Sequence, residues 1–403
     1  MNEEERSWQR LAQALRKSDG LGVLFEGCGA TLRRVPFRSR RGDCLLGHDA
    51  YRCELHGLDF PGEASSDSPP DAAVHENTDF HVPVLHTSGG APARQLVVVL
   101  NGLNERSYAR YLPWAWNVWK DTGAAVALFP LSFHVNRVHP SWARGLDGFL
   151  SRRRELVGNE NAHLYNCVLS DRLGLHPERL FWGAVQSFGD VVDLVHDVRA
   201  GRVEGVAADA RVDFLGFSAG GYIALGLLLA DETGLFADSR ALLFESGAAM
   251  RANHLSTRLI MDLSCEVALL KLYVRFTARL ANPRLAHWLA EHPEGRWFRA
   301  LFGDERERER LEARLRVLAP RLLAIANSND QVIPAGMIFN TLGGRHRDTG
   351  VRIEELALGV HEHPFVCADY EQRDRRFVVE TLDEARFGEA FTRFSALAAA
   401  FLR

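Results

Sequence analysis

Arg211 to Leu229 reads RVDFLGFSAGGYIALGLLL. An apolar run, Val212-Asp213-Phe214-Leu215, stops abruptly at Gly216-Phe217-Ser218-Ala219-Gly220-Gly221. A helix-forming run, Tyr222 to Leu229, follows at once. That order predicts a strand, a tight turn and a helix, with Ser218 at the apex in G-x-S-x-G spacing. Such a turn holds the serine in strained backbone and its hydroxyl clear of the chain. Gly216 and Gly220 fall where strand and helix come too close for a side chain. The first amide groups of the helix point at the same place, where negative charge is stabilised. The plainer alternative is a turn whose serine only caps the helix.

Working outward, Gln95 to Leu100 (QLVVVL) is apolar almost throughout, as in a strand covered on both faces. It leads into Asn101-Gly102-Leu103, a helical pattern over Tyr108 to Asp121, and a second strand, Ala124 to Phe129. Strand, helix, strand is a βαβ unit, so the sheet is at least partly parallel. Glu178 to Arg199 reads as a helix with Val185, Phe188, Val192 and Val195 on one face. Further strands are expected at Arg240 to Glu245, Arg321 to Ala326 and Val351 to Leu358, and a last helix or helix pair over 375–402. The fold class predicted is α/β, a mostly parallel central sheet flanked by helices.

The remaining stretches are less regular. Glu3 to Lys17 predicts an amphipathic helix, residues 20–60 read as irregular, and Pro61 to Ala73 has a loop composition. Tyr51 to Leu58 and Phe80 to Leu85 are expected as entry strands of the sheet. Ala252 to Leu318 is largely helical in pattern and includes Leu259 to Phe276. Its alternating run from Asp304 to Arg316 supplies pairs such as Glu305–Arg308 and Glu307–Arg310, the mark of a solvated helix face.

Bulk properties narrow the function. The chain has 403 residues, 25% charged, with a formal net charge of −4, so nothing in the balance draws it to nucleic acid or acidic lipid. No run of about 18 apolar residues occurs, so no membrane span is expected. The N-terminus has no apolar signal-type core. Six dispersed cysteines (Cys28, Cys44, Cys53, Cys167, Cys265, Cys367) without a C-x-x-C pair fit reduced thiols and a cytoplasmic protein.

Three strand ends carry chemical groups in the order Ser218, Asp330, then His361 or His363. Functional groups of open α/β sheets collect at the carboxyl ends of strands. In this order and setting the sequence resembles the α/β-hydrolase superfamily, from about residue 95 to the C-terminus apart from 131–205 and 250–319. The resemblance implies a serine nucleophile at Ser218, an orienting acid at Asp330 and a base at His361, with His363 as the alternative. Gly359-Val360 before His361 is similar to the glycine-led histidine loop of that family. Pro364-Phe365 after His363 also has parallels there. It further implies an oxyanion hole from the N–H groups of Ala219 and Leu103, the latter in a loop where the family often has His-Gly and this chain has Asn101-Gly102. It gives the following layout: 1–90 as an N-terminal extension with entry strands, 91–249 and 320–403 as the core with 131–205 inserted, and 250–319 as a helical cap.

Other candidates are weaker. His361-Glu362-His363 is not H-E-x-x-H and no third ligand is evident, so no metal is expected. No G-K-[ST] follows Gly220-Gly221, so no phosphate loop and no cofactor is expected. Arg137, between His134 and His139, could bind a substrate carboxylate, but structural hydrogen bonding is the favoured role. Trp114, Trp116 and Trp119 are expected in the core. The function expected is a serine hydrolase acting on a small-molecule acyl substrate through an acyl-enzyme. An acyltransferase on the same site and a non-catalytic binding protein are the alternatives.

Overall fold

A computed structural model describes residues 9–15, 22–41, 50–62, 69–276, 280, 282–365 and 384–403. Residues 20–60 are not irregular where described. Gly22–Gly27 (β1) and Ala30–Arg38 (β2) form an antiparallel hairpin. Its turn, Cys28-Gly29, has φ of 53° and 78°, the two positive values of a tight hairpin turn. The expected entry strand Tyr51 to Leu58 is also corrected. Ala50–Cys53 (β3) and Leu58–Pro61 (β4) pair only with each other, as a separate two-stranded sheet. Phe80 to Leu85 does enter the main sheet, inside Asp79–Thr87 (β5).

The main sheet continues with Ala93–Leu100 (β6), Ala125–Phe129 (β7), Val206–Phe217 (β8), Ala241–Phe244 (β9), Leu322–Asn327 (β10) and Arg352–Leu356 (β11). Its nine strands run in the order β1-β2-β5-β7-β6-β8-β9-β10-β11. From β7 to β11 every neighbouring pair is parallel; β1, β2 and β5 add an antiparallel edge.

Strand periodicity explains the layering. Leu96, Val98 and Leu100 face one core, with the helices Arg179–Arg199 and Ala219–Leu229 on that side. Val97 and Val99 face the other, with Leu112–Thr122 and Glu384–Leu402. The same alternation recurs in β10, where Leu322, Ala324 and Ala326 take one side and Leu323 and Ile325 the other. Both faces are covered, which is why these strands read as continuous apolar runs. Trp114 is packed in this second core against Phe217, Phe244 and Phe394, and Trp116 is buried with it.

Residues 9–15 are helical, with Leu11 buried in the second core; the rest of the expected N-terminal helix and 375–383 of the C-terminal one lie outside the described residues. The segment after β7 holds the short helices Pro140–Arg144, Leu146–Arg154 and Cys167–Leu175 ahead of the long Arg179–Arg199. The segment after β9 is helical over Leu263–Phe276, Pro283–Glu291, Pro293–Phe302 and Arg308–Leu318. Glu305–Arg308 at 3.6 Å and Glu307–Arg310 at 3.8 Å form the expected surface pairs. Among the described residues no helix is long and apolar enough to cross a membrane.

Candidate active site

Ser218 sits between β8 and the helix Ala219–Leu229, with φ 52° and ψ −116°. A positive φ on serine is costly, and the surroundings enforce it. The Ser218 N–H donates to the Phe244 carbonyl at 2.9 Å, and the Ser218 carbonyl accepts from Gly221 N–H at 3.0 Å. A Cβ on Gly216 would come 2.4 Å from the Gly220 carbonyl oxygen; one on Gly220 would come 2.2 Å from that of Leu100. Both contacts are with backbone, so no rotamer relieves them, and glycine is required for the turn to close on the sheet.

Asp330 follows β10 and His361 follows β11. The His361 Nδ1 lies 2.7 Å from Asp330 Oδ2, and its Nε2 lies 2.9 Å from Ser218 Oγ. The Asp330 Oδ1 accepts from the N–H groups of Val332 and Ile333 at 2.7 and 2.8 Å. That leaves Oδ2 fixed on the imidazole. The network assigns the tautomer: Nδ1–H donates to Asp330, and the Nε2 lone pair accepts the Ser218 hydroxyl proton. All three side chains are buried. The Phe217 ring stacks on the His361 imidazole at 5.2 Å and 25°, which limits its rotation.

The second histidine lies elsewhere in the same loop. His363 N–H closes a turn on the Val360 carbonyl at 2.9 Å. That turn carries the His363 ring toward Arg110, whose Nη2 is 3.5 Å from Nδ1. Burial, then the Arg110 charge, push His363 down to about 2. Glu362, between the two, accepts from Thr257 Oγ1 at 2.6 Å.

One residue escaped the sequence reading. Glu245, directly after β9, places Oε2 3.2 Å from the same His361 Nδ1 that faces Asp330. Its Oε1 accepts from Asn327 Nδ2 at 2.9 Å. Burial pushes this carboxyl up to about 7. For His361, burial works toward a lower pKa, but the hydrogen bonds and charges of Asp330 and Glu245 outweigh it and lift the imidazole above its ordinary value. The available signal was position: Glu245 follows the carboxyl end of β9, as Asp330 follows that of β10. Glu245, Asp330 and His361 are close enough to share a cation. Yet the 2.7 Å contact of His361 Nδ1 with Asp330 has hydrogen-bond length and leaves a proton between them.

Asn327 organises these strand ends. Its Nδ2 donates to Glu245 and to the Gly359 carbonyl at 2.8 Å, and its Oδ1 accepts from the N–H groups of Asn329 and Leu358. Asn101 does the same between β6 and β7: its Oδ1 accepts from Leu131 N–H at 2.9 Å. The Gly102 N–H is engaged by Tyr111 Oη at 2.8 Å. Leu103 shares a cavity wall with Ser218, and Ala219 follows Ser218 in the chain.

One cavity, about 300 Å³, has mixed polar and apolar walls and holds Ser218, His361, Glu105, Arg106, Arg110 and Tyr165 among them. The other, about 130 Å³, is walled mainly by apolar side chains, including Leu180, Ala184, Ile223 and Phe298. Leu103 borders both, and Ala219, the residue after Ser218, borders the apolar one. Arg137 reaches neither; it is fully buried, bound to Asp190 at 2.7 Å and to the carbonyls of Asn77 and Pro130, so substrate binding through it is ruled out in favour of the structural role. His139 caps the helix Pro140–Arg144, and His134 binds the Ser132 carbonyl.

The model of a family described as a family of unknown function, DUF6051, matches residues 1–403. No curated protein matches the chain. Solved structures similar to it include a thermostable esterase from Pseudomonas putida, with 11% identity, a TM-score of 0.45, and 100% of this chain and 91% of that one covered. The esterase Est22 has 12% identity and a TM-score of 0.45 over 99% of this chain and 88% of that one. Carboxyl esterase 2 from Tuber melanosporum has 12% identity and a TM-score of 0.41, over 81% and 82%. Identities this low leave the chemistry of the site to its own geometry.

Proposed function

We propose that this chain, which belongs to the DUF6051 family, is a serine hydrolase of the α/β-hydrolase fold that cleaves an ester or related acyl bond. The observation that carries this is the hydrogen-bonded chain from Asp330 through His361 to Ser218, at 2.7 and 2.9 Å, with the serine at a positive-φ apex. His361 Nε2 removes the hydroxyl proton as Oγ attacks the acyl carbonyl. Asp330 holds the tautomer and stabilises the imidazolium. The N–H groups of Ala219 and Leu103 receive the oxyanion. The imidazolium then protonates the leaving alcohol, and water, activated by the same base, releases the acid.

The two cavities suggest how the substrate divides. The acyl chain lies in the apolar one, past Ala219, and the alcohol portion in the mixed one, beside Arg106 and Tyr165. The inserted helices of 131–205 and 250–319 act as the cap over both. Reduced thiols at Cys28, Cys53, Cys167 and Cys265 suit a cytoplasmic setting.

A fluorophosphonate probe and a series of chromogenic esters test the reading. The wild type should be labelled and should turn over an activated ester. Ser218→Ala should lose labelling and about 10⁴- to 10⁶-fold in kcat while its circular dichroism is unchanged. A wild type that neither labels nor hydrolyses would favour a non-catalytic binding protein.

A further inference from the structure

We propose a zinc site remote in sequence from the serine, made by Cys53, His56, His287 and His292. Cys53 ends β3, and His56 lies in the turn before β4, giving C-x-x-H on one small hairpin. That turn is tight: the Cys53 carbonyl accepts from His56 and Gly57 N–H at 3.3 and 2.7 Å. His287 stands on the helix Pro283–Glu291, and His292 joins it to the helix Pro293–Phe302. Folding brings these two pairs together across 239 residues.

Three observations point to a metal rather than a chance contact. First, the four donor atoms lie within 4.8 Å of one another. The Cys53 Sγ is 3.3 Å from His56 Nδ1 and 3.4 Å from His292 Nε2. A tetrahedral zinc with Zn–S of about 2.3 Å and Zn–N of about 2.0 Å sets S···N edges of ~3.5 Å. Second, the three imidazoles meet edge to face, with centroids 4.8, 5.2 and 5.3 Å apart and interplanar angles of 89°, 75° and 85°. Their planes are thus close to mutually perpendicular, an arrangement open to three imidazoles around one ion. Trp288 lies flat on His292 at 3.7 Å and 11°, fixing that ring. Third, the His287 Nε2 is buried and makes no hydrogen bond among the described residues. A thiol bridging two imidazoles leaves that nitrogen unexplained, and a buried polar atom without a partner is costly. A fourth ligand position explains it.

Thiolate and imidazole are the donor set of zinc, and four protein ligands close the coordination sphere, the mark of a structural site. The function follows from the topology. The β3–β4 pair is a two-stranded sheet outside the main one, and such hairpins are marginal alone. Zinc would clamp it to the helix pair of the 250–319 segment, coupling metal affinity to the local fold. His56 is exposed, so the ion has a way in.

The test uses the full chain and metal alone. Purified protein, dialysed without chelator, should retain one zinc per chain by elemental analysis. Chelator-stripped protein titrated with Co(II) should saturate at one equivalent, with the visible bands of a tetrahedral ion and a sulfur-to-cobalt charge-transfer band. Cys53→Ser should lose the charge-transfer band, and His287→Gln should lose stoichiometric binding. Wild-type protein that binds neither ion stoichiometrically overturns the proposal without any variant having to fold. So does a Co(II) spectrum that is octahedral, or one that Cys53→Ser leaves unchanged.

Discussion

Two carboxylates face one imidazole nitrogen, and that sets the pH behaviour of the site. Asp330 is nearer, at 2.7 Å, and is pinned by two backbone N–H groups; Glu245 stands at 3.2 Å. Glu105, ion-paired to Arg110 at 2.9 Å, is a further charged neighbour. In the proposed mechanism His361 is the base and acts only when neutral, so kcat/KM should rise with pH through its pKa. Each negative charge favours the imidazolium and moves that rise to higher pH. Removing one does the reverse: Glu245→Gln should shift the acid limb of the pH–rate profile to lower pH with Ser218 still labelled by the probe. An unmoved limb would mean that Glu245 is not coupled to the base. The same pair predicts unusual tolerance at Asp330. Loss of the orienting acid costs about 10⁴-fold where it stands alone. Here Asp330→Asn should cost less, and Asp330→Asn with Glu245→Gln should lose more than the two single losses multiplied, because the carboxylates cover for each other.

At the scale of elements, the apolar cavity lies between the long helix Arg179–Arg199 and the helix Ala219–Leu229, and it includes Leu180, Ala184 and Ile223. Ala184→Phe should fill it and leave the serine turn untouched. The expected outcome is kcat/KM on long-chain esters falling while acetate esters are unaffected; equal losses on both would place the acyl chain elsewhere. The sequence announced these helices and the central strands because strands covered on both faces are apolar throughout, as in QLVVVL. It concealed the β1–β2 hairpin. Arg33-Arg34 interrupts the alternation of β2, and the turn uses Cys28 at positive φ where glycine or asparagine is the usual cue. Ser218, Asp330 and the histidine pair were legible as polar groups after apolar runs. The preference for His361 over His363 rested on Gly359-Val360; what was hidden is the Val360–His363 turn that points one ring at Ser218 and the other at Arg110. Glu245 was hidden for the same reason: an acid just after a strand is ordinary until folding sets it beside an imidazole.

At the scale of the molecule, residues 131–205 and 250–319, the proposed cap, are joined in one layer by polar contacts. The Arg153 guanidinium makes a bidentate pair with Asp262, both contacts 2.6 Å, and both side chains are buried. Asp262 also accepts from Cys265 N–H, and its own N–H donates to Ser170 Oγ. Asn166 Nδ2 donates to the Thr257 carbonyl at 2.9 Å, and Asn161 Nδ2 to Ser256 Oγ at the same distance. From there Thr257 reaches Glu362, beside His361, and the Leu259 carbonyl accepts from Asn104 in the loop after β6. The layer is therefore tied to the serine site from both sides. Breaking a buried pair from one side leaves an uncompensated charge, at about 3–5 kcal/mol. Asp262→Asn should lower the urea midpoint by a corresponding amount and raise KM for large esters more than for acetate esters, because Leu259 and Ile260 line the mixed cavity. Replacing both partners, Arg153→Met with Asp262→Leu, removes the stranded charge and should restore most of the stability. A midpoint that Asp262→Asn leaves in place would show that the layer is held by its apolar contacts instead, with the ion pair setting only its register.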